Sequence, residues 1–376
     1  GPIYAVGRLV LPAWVKSQIA ANLPEGSSLV IGEMSSNSDL SINYDNLNYK
    51  SASGLLNLNL SKIVIRPQLS LKEPLEIKVG TANFETDQLS GKFSKVNSKI
   101  AINFKDLSET TLTGQAEKLD AHQFAALSNI NFFLKGFNTK NSTIEFSAEK
   151  FKIFSNTPMG QLITYGENAI FNASLNNDLY TIFKSQEIEF DISSFSNDQS
   201  ETVIKGNDLF LDLSLVKNEN WFAPFVLKLK NISSKGEVIS EDLMVNAEGR
   251  WRNTMKSCTW RYMLIDNQNC GKLTDIVKVN LEMIKDDSIL NFSGEGICVT
   301  PKAGCLQKIN SKIRTRKTAD VFSRIMASGT INPIFAGVIF GSLLSSPKTG
   351  DPNYDHEVIF EVKGSSIVLN GKPLIN

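Results

Sequence analysis

The chain has 376 residues, 41% of them hydrophobic, and its 39 basic side chains balance 39 acidic ones. That length supports a substantial core in two domains or one elongated one. A net charge near zero excludes the basic footprint of a general nucleic-acid binder.

The chain begins with Gly1-Pro2 rather than Met, so an upstream membrane anchor or signal segment is expected to have been removed. The apolar run Ile3–Leu11 is either the end of such an anchor region or a first buried strand or helix. Pro12–Leu23 predicts a helix, with proline in its first turn and Trp14, Val15, Ile19 and Leu23 roughly on one face. It either lies at a membrane interface, with Trp14 at headgroup level, or caps the end of a sheet. No segment has the roughly 20 apolar residues needed to cross a bilayer as a helix.

From Leu29 the pattern becomes that of strands, in which successive side chains face opposite sides of the sheet. Leu29–Gly32, Leu40–Tyr44 and Leu47–Tyr49 read as short strands. Leu56, Leu58 and Leu60 alternate with asparagine, and Ile63 and Ile65 then take the opposite parity, which predicts a bulge near Ser61-Lys62. Leu75, Ile77 and Val79 form a strand ended by Gly80, and Ile100, Ile102 and Phe104 form another. Residues 117–131 read as a helix N-capped by Asp120, burying Leu119, Phe124 and Leu127, with His122 in its first turn as an ordinary surface residue.

The two-residue beat resumes at Ile144, Phe146 and Ala148 and continues through Ile170–Leu175 and Tyr180–Phe183, a hairpin around Asn176-Asn177-Asp178. It is plainest in Leu209, Leu211, Leu213 and Leu215, with Asp212 and Ser214 on the opposite side, and in the following Phe225, Leu227 and Leu229. Strands about ten residues apart, separated by polar turns, predict an all-β assembly. The fold class expected is mainly β: an elongated, curved antiparallel sheet, groove- or sandwich-like, with a few short capping helices. The expected divisions are 1–26 as N-terminal segment and helix, 27–250 as main β domain, and 251–376 as a stapled C-terminal β region.

The staple is the cysteine set Cys258, Cys270, Cys298 and Cys305. Four cysteines allow three pairings; Cys258–Cys270 with Cys298–Cys305 is the local solution. A zinc site competes, but the separations are not C-x-x-C and the two histidines lie far off in sequence. Disulfides are the favoured reading and suit an oxidising compartment; no metal or cofactor is expected.

Near the C-terminus, residues 317–329 read as a helix ended by Gly329. Asn332-Pro333 then reads as N-cap and first-turn proline of an apolar helix over 333–344, I-F-A-G-V-I-F-G-S-L-L after the proline. Its Gly337-x-x-x-Gly341 spacing admits a close backbone neighbour. A helix apolar all round must be buried in something. Either it is a core helix against the sheet, or it serves as a plug or membrane contact through Ile334, Phe335, Ile339 and Phe340. The chain then ends in a β-hairpin.

No G-x-G-x-x-G, G-x-x-x-x-G-K-[ST] or H-E-x-x-H motif is present. Paired acids such as Asp286-Asp287 read as solvated turn residues, and a non-enzymatic protein is expected. The block L-P-A-W-V-K-S-Q-I-A-A-N-L-P-E-G-S-S-L-V-I-G, residues 11–32, resembles the entry to AsmA-like bacterial envelope proteins. The ending G-S-S-I-V-L-N-G-K-P-L, residues 364–374, resembles the final hairpin of YdgA-like periplasmic proteins. The AsmA-like resemblance implies a periplasmic protein anchored in the inner membrane of a Gram-negative bacterium. It further implies a curved sheet whose concave apolar face carries lipid acyl chains, with no catalytic residues to carry over. The chain departs from the largest members in its shortness and its cysteine cluster.

A one-faced apolar sheet with few helices must close on itself or hold something apolar. The candidate groove is therefore Leu209, Leu211, Leu213, Leu215, Phe225, Leu227 and Leu229, with a lipid or other hydrophobic small molecule as ligand. The competing reading is a structural or assembly scaffold with a dry core that acts through an envelope protein partner; a hydrolase is the third.

Overall fold

The computed structural model describes residues 16, 17, 21, 23, 25–54, 56–66, 73–86, 89–103, 105–136, 141–157, 160–175, 178–195, 201–215, 221–252, 272–298, 309–346, 348–363 and 366–375. The chain is mainly β, and contacts divide it into two units, 1–154 with 168–176 and 155–167 with 177–376. Both are open, curved antiparallel meanders.

The first unit contains β1 (Ser28–Ile31), β2 (Met34–Ser36), β3 (Ile42–Lys50), β4 (Leu56–Arg66), β5 (Leu75–Thr86), β6 (Ser90–Ala101), β7 (Thr111–Asp120), β8 (Ala125–Lys135) and most of β9 (Ser142–Thr157). Each strand from β3 to β9 pairs with the next. β1 and β2 share one edge, pairing with opposite halves of β3.

One feature organises these ladders. Lys62 in β4, Lys95 in β6 and Asn129 in β8 all have φ near +50°, the left-handed region that most residues avoid. The registers set Asp45, Lys62, Gly80, Lys95, Glu117, Asn129 and Glu149 in one line across seven strands. At that line every strand changes phase. Leu60 and Ile63, Val79 and Ala82, Phe93 and Val96, Ala116 and Leu119, and Leu127 and Ile130 share the inner face despite a spacing of three. Each strand therefore bends at the same level. Residues from both sides of the bend gather into two clusters, one around Tyr44, Ile63 and Val79, the other around Ala116, Ile130 and Ala148. The line itself is polar: Lys95 pairs with Glu117, and the Asn129 amide donates to Glu149. Gly80 faces Lys62 across β4–β5, where a Cβ would lie 3.0 Å from that lysine's own Cβ.

The bulge expected near Ser61-Lys62 is thus present, as one member of a line. The helix expected over 117–131 is not: β7 and β8 form a hairpin there. Of the side chains expected to be buried, Leu119 and Leu127 pack on the inner face beside the bends of these two strands, whereas Phe124 is exposed in the turn between them. Asp120 still caps, but a turn, its carboxylate accepting from the His122 N–H at 2.8 Å. β5 continues through Gly80 to Thr86, and Leu47–Tyr49 is one strand with Ile42–Tyr44. Ile102 lies just beyond β6 and is exposed; Phe104 lies outside the described residues.

β10 (Gly160–Leu175) contributes to both units. The second holds β11 (Leu179–Asp191), β12 (Val203–Leu215), β13 (Trp221–Ser234), β14 (Glu237–Arg252), β15 (Lys272–Lys285), β16 (Ser288–Cys298), β17 (Ile309–Arg316), β18 (His356–Lys363), β19 (Ser366–Leu369) and β20 (Lys372–Ile375). Each pairs with the next from β11 onward. Between β17 and β18 come α1 (Thr318–Ser328) and α2 (Pro333–Ser345). Gly329 ends α1 in the left-handed conformation, and the Asn332 side chain accepts from the Ile334 N–H at 2.9 Å, as expected. Among the described residues no helix is long and apolar enough to cross a membrane.

Candidate functional site

The ladders of the second unit set its apolar side chains in transverse rows. One row runs Phe183, Leu211, Leu227, Val245, Leu281, Phe292, Ile313, Val358. The next runs Thr181, Leu213, Phe225, Ala247, Val279, Gly294, Ser311, Phe360 on the same face. Neither row contains a charged side chain. The opposite face is polar; there Lys184 and Lys228 each lie 5.8 Å from the Phe210 ring.

Burial along the apolar face is uneven. Toward β18 it is sealed: Thr315, Leu343 and Val358 have no exposed surface. α1 packs on β14, β16 and β17 there, and α2 packs on α1 and β18. The helices meet through Phe322 and Phe340, ring centroids 4.8 Å apart. Arg324 of α1 donates to the Ile239 carbonyl at 3.3 Å. Burial holds its pKa below the usual arginine value, opposed by Asp320, Asp286, Glu241 and Glu237. Toward β12 the face opens. Leu209 and Leu229 are buried, Leu211, Phe225 and Leu227 are half-buried, and Leu213 is 42% exposed. Leu215 pairs with Leu179 at the end of β12.

α2 turns only Ala336, Phe340 and Leu343 inward. Ile339 is half-buried, whereas Ile334 is 79% and Phe335 57% exposed, with Val338 and Leu344 beside them. It is therefore neither a fully buried core helix nor a plug on all its sides. Gly337 and Gly341 have open space where a Cβ would stand. Trp14, Cys258, Cys270 and Cys305 lie outside the described residues, and Cys298 is the last residue of β16, paired with Asp275.

On the polar face a cavity of about 730 Å³ lies over β13–β18. Its walls include Pro224, Val226, Asn246, Glu248, Lys278, Asn280, Ser293, Glu295, Asn310, Lys312, Ile359 and Glu361. Its floor is the backbone of the row between them, Phe225, Ala247, Val279, Gly294 and Ser311, whose side chains belong to the opposite face. Ile359 and Glu361 line it and Phe360 does not, which places it on the side away from the leucine rows. Beside it Asn291, 2% exposed, donates to the Asn280 Oδ1 at 3.0 Å and accepts from Arg314 Nη2 at 3.0 Å. Arg314 lies over the Tyr354 ring at 4.5 Å and 3.7 Å from the Asp351 carboxylate. Sequence reading missed this cavity, because only strand register brings asparagines 34 and 30 residues apart onto one patch. No group of three His, Cys, Asp or Glu side chains among the described residues converges as a metal set.

No family model matches the chain, and no solved structure matches it. Among curated proteins it is similar to a probable cytochrome P450 4ac2 of Drosophila melanogaster, at 21% identity over 112 residues. That match spans 27% of this chain and 22% of the fly protein, and carries neither fold nor activity across.

Proposed function

We propose that the chain is a non-enzymatic periplasmic protein, anchored in the inner membrane, that binds or transfers a lipid or similar hydrophobic molecule along the apolar face of β11–β15. The observation that carries this reading is the contrast along one face: the rows are sealed by helices at β18 and left open at Leu213, Phe225 and Leu227. A wide uncharged face in water is the kind of surface that binding uses. The exposed residues of α2, Ile334 and Phe335, offer a contact through which a ligand passes to or from a bilayer. The compartment and anchor rest on the resemblance of residues 11–32 and 364–374 to envelope proteins.

The first unit favours the scaffold reading for its own share of the chain. Ile130, Ala116 and Ala148 are buried, which supports a packed core at its bend.

The test is native mass spectrometry of the purified chain with lipid extraction, on the wild type and on Leu213→Glu. Stoichiometric phospholipid that disappears in Leu213→Glu, with thermal stability unchanged, is the expected result. A clean apo mass with no uptake of added lipid overturns the proposal and leaves the scaffold reading for the whole chain.

A further inference from the structure

We infer that the cavity over β13–β18 is a second binding site, for a small uncharged saccharide, separate from the leucine face. Its volume, about 730 Å³, lies within the range of small-molecule sites, roughly 300–1,000 Å³. Its charges alternate strand by strand: the registers place Glu248 beside Lys278 and Lys278 beside Glu295. Opposite signs in adjacent strands offset one another at short range, and the three carboxylates against two ammonium groups in the walls leave no cluster of one sign to hold an ion.

What remains is hydrogen bonding from the walls over a floor of strand backbone. Asn246, Asn280 and Asn310, from β14, β15 and β17, each carry a donor and an acceptor on one small amide. Vicinal hydroxyls, each both donor and acceptor, are the ligand chemistry that such a patch matches, while Val226 and Ile359 offer apolar surface to ring C–H groups. Asn280 is also pre-set. Its Oδ1 is taken by Asn291, which Arg314 holds in turn, so its NH2 is left as the group to donate. A donor fixed before binding loses less freedom on binding.

The experiment is saturation-transfer-difference NMR of the full chain with maltotriose, cellotriose and triacetylchitotriose, each at millimolar concentration. Transfer to at least one of the three is expected. Asn280→Ala should weaken that binding by about three- to tenfold, the range for one net hydrogen bond. Ser293→Trp, which fills the centre of the cavity from an accessible strand position, should abolish it. Leu213→Glu should leave it unchanged, which separates this site from the lipid face. No transfer from any of the three to a wild type with an intact β-sheet circular dichroism spectrum overturns the proposal. So does saccharide binding that survives Ser293→Trp.

Discussion

The bend line of the first unit makes a prediction whose sign, and not only its size, tests it. Asn129 and Asn131 are two residues apart in β8, both on the outer surface. Asn129 has φ +49°, whereas Asn131 is an ordinary ladder residue between Gln115 and Ser147. At an ordinary strand position, valine is favoured over glycine by about 1 kcal/mol. In the left-handed region an L side chain costs about 1–2 kcal/mol that glycine does not, and a β-branched residue sits at the upper end. Against this, glycine loses about 0.5–1 kcal/mol more backbone freedom on folding. At position 129 glycine should therefore be the more stable replacement, by about 1 kcal/mol. Both replacements lose the amide bond to Glu149, so that contribution cancels in the comparison. At position 131 the order should reverse. Urea unfolding of the four variants, followed by far-ultraviolet circular dichroism, reads the difference as a midpoint shift of roughly 0.3–1 M at m-values of about 1–3 kcal/mol/M. Valine above glycine at both positions would refute the left-handed bend.

Other consequences follow from the same packing. Ile130→Ala should destabilise the first unit by about 2–5 kcal/mol, because its cross-strand neighbours Ala116 and Ala148 are too small to refill the space; calorimetry checks this. In α2, Phe340→Ala should cost about 3–5 kcal/mol and Phe335→Ala almost nothing in thermal melting. Phospholipid-vesicle flotation should show the opposite ranking, with Phe335→Ala the weaker binder. The Asp39 carboxylate, bonded by the Ser41 hydroxyl and N–H, has a pKa below the ordinary 3.8. The stability it lends is present above pH 3.8 and disappears as pH falls through the lower folded-state value. The difference in urea midpoint between wild type and Ser41→Ala should accordingly narrow below pH 3.8.

The fold class was legible because a period of two runs on either side of each bend, and Leu209–Leu215 states it without interruption. The helix caps at Gly329 and Asn332 were legible because local chemistry dictates them. The false helix over 117–131 shows where pattern misleads. A strand that bends in the left-handed region repeats its inner face after three residues, which is also the step along a helix face. A single such step, as at Leu60–Ile63, reads as a bulge between two clear alternations. Across the tight turn between two such strands, Leu119, Phe124 and Leu127 read as helix, with Asp120 as its cap. Only the ladder tells them apart, because it shows Lys62, Lys95 and Asn129 at one level.

The candidate site divides along the same line between local and non-local information. That Leu211, Leu213, Phe225 and Leu227 share a face follows from parity within two neighbouring strands. Which part of that face is open does not, since it depends on where α1 and α2 come to rest, and α1 follows β17 in sequence yet covers β14 and β16. α2 is the sharper case. Its composition is apolar on every side, so no moment in the sequence distinguishes Phe340, packed on Phe322, from Phe335, left in solvent. An amphipathic helix would announce which side it buries; this one has no charged side chain to turn outward, only the hydroxyls of Ser342 and Ser345. Exposed Ile334 and Phe335 gain nothing from being apolar in the folded chain alone, which is the physical ground that supports the proposed apolar contact on that side.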